Sequence, residues 1–170
     1  MSLGVAVVNE KIYALGGASA GGPPVGANEI YDPATDSWTI KAPMPIPRMG
    51  FGTAVWQDKI YVMGGGSNVT EVYDPAFDTW ETRAQQPFTI AADVYPMTAG
   101  IVEGKIWLIY VNTTQVRNPD SYPNGTLLPN PFPIVIQIYD PTMDNWTIKV
   151  PSPMPYPYDV GSFDYLLPCF

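Results

Sequence analysis

Histidine is missing from all 170 residues, and cysteine occurs once, as Cys169. The first absence removes the Ser-His-Asp and Cys-His arrangements of nucleophilic enzymes and every metal site that requires imidazole. The second removes an internal disulfide, and it leaves Cys169 with no histidine base to activate it. Basic residues are scarce as well. Eight Lys plus Arg stand against sixteen Asp plus Glu, a net charge of −8 that favours solubility and repels phosphate backbones, so nucleic acid is not an expected partner. No uninterrupted apolar run approaches the ~20 residues of a membrane helix. Met1 to Val8 has neither the charged start nor the length of a signal peptide.

The chain is instead rich in 20 prolines, 15 glycines, five tryptophans and eleven tyrosines, with 46% hydrophobic and 14% charged residues. That is the composition of a folded protein with many short strands divided by turns, and it predicts an all-β class. Four of the eight asparagines, Asn68, Asn112, Asn124 and Asn145, stand in Asn-x-Ser/Thr sequons, where chance predicts about one. This points mildly toward a secreted or cell-surface glycoprotein, and nothing else in the sequence speaks to compartment.

An internal repeat is the strongest signal. Lys11-Ile12-Tyr13-Ala14-Leu15-Gly16-Gly17 returns as Lys59-Ile60-Tyr61-Val62-Met63-Gly64-Gly65 and, decayed, as Lys105-Ile106-Trp107-Leu108-Ile109-Tyr110-Val111. Tyr-Asp-Pro-x-x-Asp-x-Trp runs from Tyr31 to Trp38 and from Tyr73 to Trp80, and a variant runs from Tyr139 to Trp146. A third element, Pro43-Met44-Pro45 to Arg48, has a counterpart at Pro153-Met154-Pro155.

These residues resemble the kelch repeat, whose marks are a Gly-Gly closing one strand and a spaced tyrosine and tryptophan on the next two. The resemblance implies a β-propeller built of four-stranded antiparallel blades. The β-rich runs, read independently, give the same four segments per repeat. They are Gly4 to Val8, Lys11 to Leu15, Glu29 to Tyr31 and Ser37 to Ile40; then Phe51 to Trp56, Lys59 to Met63, Thr70 to Tyr73 and Thr79 to Thr82; then Thr98 to Val102, Lys105 to Val111, Ile134 to Tyr139 and Asn145 to Ile148. The expected organisation is one domain over 1–170, with repeats at about 4–40, 51–82 and 98–148 and the opening strand of a fourth at 160–167. Three blades do not close a ring, since propellers typically need about four to eight. The chain is therefore expected to be part of a longer propeller or to pair with a second copy.

Recurrence at fixed places assigns Tyr31, Trp38, Tyr73, Trp80, Tyr139 and Trp146 to packing, with sugar stacking the weaker alternative. Gly16, Gly17, Gly64 and Gly65 read as strand exits that need unusual backbone angles or close approach; no phosphate-loop pattern follows them. The pairs Asp32/Asp36, Asp74/Asp78 and Asp140/Asp144 read as turn residues, because their spacing lacks the dense alternation of a calcium loop. No metal and no cofactor is expected.

Function is expected on variable connections. In a four-stranded antiparallel blade, the link from strand two to strand three lies on the same face as the link into the next blade. The former run approximately from Gly17 to Asn28, Gly66 to Val69 and Asn112 to Pro133, the last holding an insertion. Candidate contacts are Arg117, Asp120 and Tyr122 in that insertion, and Arg48, Asp93, Tyr95, Tyr156, Tyr158 and Asp159 in the inter-blade links, since aromatics and arginine anchor interfaces. The predicted function is a non-catalytic module that presents blade loops to a protein or glycan. The alternative is a sugar-active enzyme resembling sialic-acid mutarotases, working with carboxylates and arginine; the histidine-dependent copper site of galactose-oxidase-like propellers has no residues here.

Overall fold

The computed structural model describes residues 3–87, 98–111 and 134–149. The described residues form twelve strands and no helix. In blade one these are β1 (Gly4–Val8), β2 (Lys11–Leu15), β3 (Asn28–Asp32) and β4 (Ser37–Ile40). Blade two holds β5 (Phe51–Trp56), β6 (Lys59–Gly64), β7 (Thr70–Asp74) and β8 (Thr79–Arg83). Blade three holds β9 (Thr98–Val102), β10 (Lys105–Val111), β11 (Ile134–Asp140) and β12 (Asn145–Lys149). Each blade is an antiparallel meander of strands in sequence order. The fold is all-β, with three four-stranded blades arranged as in a propeller and no ring closure among the described residues. The expected fourth opening strand at 160–167 lies outside them.

Local chemistry sets the meander. The first hairpin of each blade turns on two residues in the left-handed region: Asn9 and Glu10 (φ 50 and 62), Gln57 and Asp58 (φ 49 and 58), Glu103 and Gly104 (φ 50 and 72). Such two-residue turns match the right-handed twist of the flanking strands. The third connection is the Asp-Pro turn, in which the first aspartate accepts the amide two residues on: Ala34 to Asp32, Ala76 to Asp74 and Thr142 to Asp140, each at 3.0 Å. The same aspartates meet the lysine that opens strand two, in the pairs Lys11–Asp32, Lys59–Asp74 and Lys105–Asp140 (3.1, 2.9 and 3.4 Å).

The blades then stack. β1 packs beside β5, and β5 beside β9, so the first strands are innermost and the sheets fan from a common axis. Register gives each blade two faces. One, here the leading face, carries Ile60, Tyr73 and Trp80 in blade two, because Ile60 pairs with Tyr73 and Tyr73 with Trp80. The other, the trailing face, carries Tyr13, Leu15 and Ile30 in blade one and Ala54, Tyr61 and Val72 in blade two. Leu15, Ile30, Ile60, Val62 and Tyr73 share one core between blades one and two. Tyr61, Met63, Val72, Ile106, Leu108 and Tyr139 share a second between blades two and three. Blade two is covered on both sides, which is why β6 and β7 lose the alternation of buried and exposed positions that β1 keeps.

Candidate functional site

Two connections approach each other at one end of blades one and two. The link between β2 and β3 touches the link from β4 to β5 through Gly17 N–H to Arg48 carbonyl (2.9 Å) and Met44 N–H to Gly26 carbonyl (2.8 Å). In blade two the short link before β7 does the same, through Gln86 N–H to the Asn68 carbonyl (2.7 Å). Among the described residues, blades one and two thus carry both sets of connections at the same end. The blade-one loop is ordered by its own bonds, Val25 N–H to the Gly17 carbonyl (2.8 Å) and Gly22 N–H to the Ser19 carbonyl (3.0 Å), and it leaves Pro23, Pro24 and Val25 exposed.

The paired glycines make this packing possible. Gly16, Gly17, Gly64 and Gly65 all have positive φ (58, 91, 82 and 71). A β-carbon on Gly16 would meet the Arg48 carbonyl oxygen at 2.6 Å, and one on Gly65 would meet the Met49 carbonyl oxygen at 2.7 Å.

Arg48, expected as an exposed contact of this rim, is instead 1% exposed. Its guanidinium is turned inward, ion-paired with Glu71, and donates to the carbonyls of Gly64 and Val69 at 3.0 Å each. Glu71 in turn accepts the Ile46 amide (3.0 Å). Burial lowers the Arg48 pKa, with Glu71 opposing, and burial raises that of Glu71, with Arg48 and the Ile46 amide opposing. The pair ties the inter-blade link to β6 and β7, so Arg48 shapes the rim from beneath. In the third repeat the matching positions are Val94 and Gln137, and the buried Gln137 amide donates to the Tyr110 hydroxyl (3.2 Å). The other rim candidates, Asp93, Tyr95, Arg117, Asp120, Tyr122, Tyr156, Tyr158 and Asp159, lie outside the described residues.

The Tyr-Asp-Trp set does more than turn a hairpin. Tyr73 donates to Asp78 (2.6 Å), Asp78 also accepts the Ala42 amide (2.9 Å), and the Trp80 indole donates to the Ala42 carbonyl (2.8 Å). Ala42 lies in the link that leaves β4 of blade one, so both backbone groups of that exit are held by blade two. The seam between blades two and three repeats this with Tyr139 to Asp144 (2.6 Å), Ala84 to Asp144 (2.8 Å) and Trp146 to Ala84 (3.0 Å). Asp78 and Asp144, read from sequence as turn residues alone, are therefore inter-blade clamps. In blade one Tyr31 donates to Asp36 (2.7 Å), but Trp38, expected to pack, is 59% exposed. No preceding blade among the described residues covers it.

These clamps predict how stability depends on pH. The Tyr73 hydroxyl first, then the Ala42 amide, hold Asp78 below the ordinary carboxylate range. For Asp144 burial works upward, yet the Tyr139 hydroxyl, the Ala84 amide and Arg83 together bring it below that range. Asp32 is lowered chiefly by Lys11, Asp74 by Lys59 and Asp140 by the Thr142 hydroxyl. A depressed native pKa contributes stability present above the unfolded value and lost as pH falls through the native one. Glu71 works oppositely, its contribution being present in acid and lost as pH rises. Thermal unfolding followed by tryptophan fluorescence should give a midpoint that is highest near neutral pH and falls below about pH 4; a midpoint that rises on acidification would contradict the clamp assignment.

Among the described residues no three His, Cys, Asp or Glu side chains gather as a metal site. A family model for the Kelch motif matches residues 2–45 and again 47–85. Residues 2–85 are thus two kelch repeats. Kelch relatives include an F-box/kelch-repeat protein of Arabidopsis thaliana, 40% identical over 65 residues that make up 38% of this chain and 17% of that protein. Kelch-like protein 15 of Danio rerio is 46% identical over 66 residues (34% of this chain, 10% of that protein), and alpha-scruin of Limulus polyphemus is 41% identical over 61 (36% and 7%). The match thus spans less than a fifth of each of these kelch proteins. The solved structure of YjhT superposes with a TM-score of 0.65 at 19% identity, over 90% of this chain and 52% of that one, a likeness of fold.

Proposed function

We propose that the chain is a non-catalytic kelch interaction module whose partner, a protein or a glycan, binds the rim formed by the β2–β3 links and the inter-blade links. One observation carries this reading: the seam bonds repeat from blade to blade within 0.2 Å, whereas the rim connections differ in length and composition. The frame is held constant while the rim varies, which is the division of labour expected of a recognition surface. The curated relatives' names, which pair kelch repeats with F-box or BTB domains, support a binding role. The sugar-active alternative calls on arginine, and Arg48 is occupied by Glu71 inside the blade.

The test is a double substitution in the insertion, Arg117→Ala with Tyr122→Ala, measured against the partner captured from the native compartment. Binding should weaken roughly tenfold or more while thermal unfolding is unchanged. Retained affinity, or turnover in an assay of sugar anomerisation or hydrolysis, would overturn the reading.

A further inference from the structure

Two of the four Asn-x-Thr sequons fall within the described residues, and the fold treats them oppositely. Asn145-Trp146-Thr147 opens β12, the outer strand of blade three. Side chains alternate along a strand, so Asn145 and Thr147 share one face while Trp146 takes the other. Asn145 and Thr147 are both exposed, and the Trp146 indole turns into the seam, where it donates to the Ala84 carbonyl (3.0 Å). The carboxamide and the hydroxyl two residues on, which a sequon pairs, thus stand on the same face and in solvent.

Asn68-Val69-Thr70 is built the other way. Its carboxamide donates to the Gln85 side-chain oxygen (3.2 Å), its backbone carbonyl accepts the Gln86 amide (2.7 Å), and Thr70 is 0% exposed. A sugar on Asn68 would crowd the Gln85 contact and would stand on the rim itself.

The place of Asn145 accepts a bulky group even where a blade is covered. Its counterparts at the opening of β4 and β8 are Ser37 and Thr79, and both are exposed. Thr79 stays so although blade three packs against the blade that carries it. In a covered seam, therefore, blade packing does not reach this corner. The corner follows the Asp-Pro turn, at the opposite end of the blade from the links that make the rim. Beside it β12 has one edge without a strand partner among the described residues, and Ile148 is 44% exposed. Such edges invite pairing with other chains unless they are protected.

We propose that Asn145 is an N-glycan acceptor whose glycan guards the outer edge of blade three and leaves the rim free. The Asn145 amide nitrogen attacks the anomeric carbon of a lipid-pyrophosphate-linked oligosaccharide. The N–C bond forms as the C–O bond to the pyrophosphate breaks, the lipid pyrophosphate departs, and the amide proton passes to a base of the transferring enzyme. The product is a bulky, solubilising surface group beside Ile148. The assignment is independent of whatever the rim binds.

The 170-residue chain, secreted from eukaryotic cells behind a cleaved leader, is mapped site by site by glycopeptide mass spectrometry. Asn145 should carry a glycan in most molecules and Asn68 in few. Thr147→Ala leaves Asn145 in place at an exposed strand position and should abolish its modification, whereas Thr147→Ser should retain it. Removing the glycan from the folded chain with a peptide N-glycosidase should raise light scattering several-fold on concentration. If the chain is not secreted, translation in the presence of microsomes reads the same occupancies as gel shifts. An unmodified Asn145, or a modification that persists in Thr147→Ala, overturns the assignment. So does an Asn68 occupied as fully as Asn145, and scattering unchanged on deglycosylation overturns the guarding role.

Discussion

Replacing Glu71 by alanine should destabilise the chain by about 3–5 kcal/mol, because it leaves the Arg48 guanidinium buried without a counter-charge. Arg48 and Glu71 are each 1% exposed. The cost arises less from the attraction that is lost than from desolvating a cation that has only the Gly64 and Val69 carbonyls left to receive it. The Ile46 amide loses its acceptor at the same time. Urea unfolding followed by tryptophan fluorescence checks the figure. The double variant Arg48→Val with Glu71→Gln, which copies the third repeat's Val94 and Gln137, should recover much of the loss, since it removes the orphaned charge. A single variant that costs less than ~1 kcal/mol would mean that water reaches Arg48 and that the pair is not the tie beneath the rim.

Trp80→Ala should cost about 3 kcal/mol, and Trp38→Ala within ~1 kcal/mol in dilute, monomeric chain. The two residues occupy the same place in consecutive repeats. Trp80 packs against the core between blades one and two, stacks on Tyr73 at 5.1 Å and donates to the Ala42 carbonyl. Trp38 stacks on Tyr31, is covered by no preceding blade among the described residues, and is 59% exposed. The difference therefore measures the seam and not the residue. Equal costs for the two would show that the aromatic pair acts within its own blade, contrary to the clamp.

The strands were readable because the repeat supplies each of them three times. Where the structure extends them, as with β3 to Asp32, β7 to Asp74 and β11 to Asp140, the ladder runs one residue past the tyrosine because that aspartate still pairs with the strand opening after the turn. The partnership of Arg48 with Glu71 was not readable. An arginine that follows three closely spaced prolines in an inter-blade link looks like a loop cation, and only the fold brings it beneath Gly64. One signal was available: the third repeat lacks both members together, as Val94 and Gln137. The clamp aspartates, the second of each turn, read as turn residues because a place within a tight turn accounts for them locally, whereas one of their bonds goes to another blade, Ala42 for Asp78 and Ala84 for Asp144. Nor does a repeat pattern distinguish a seam that is filled from one that is open, so Trp38 and Trp80 read alike.

The sequence-ordered meander of each blade also bears on how the chain reaches this state. Every sheet pairs only strands adjacent in sequence, and the first hairpin of each closes over two residues. Loop closure of that kind costs little entropy, so a blade can assemble locally as soon as its segment leaves the ribosome. The inter-blade clamps then form in order, each new blade seizing the exit of the one just completed, which makes synthesis from the amino end the natural direction of assembly.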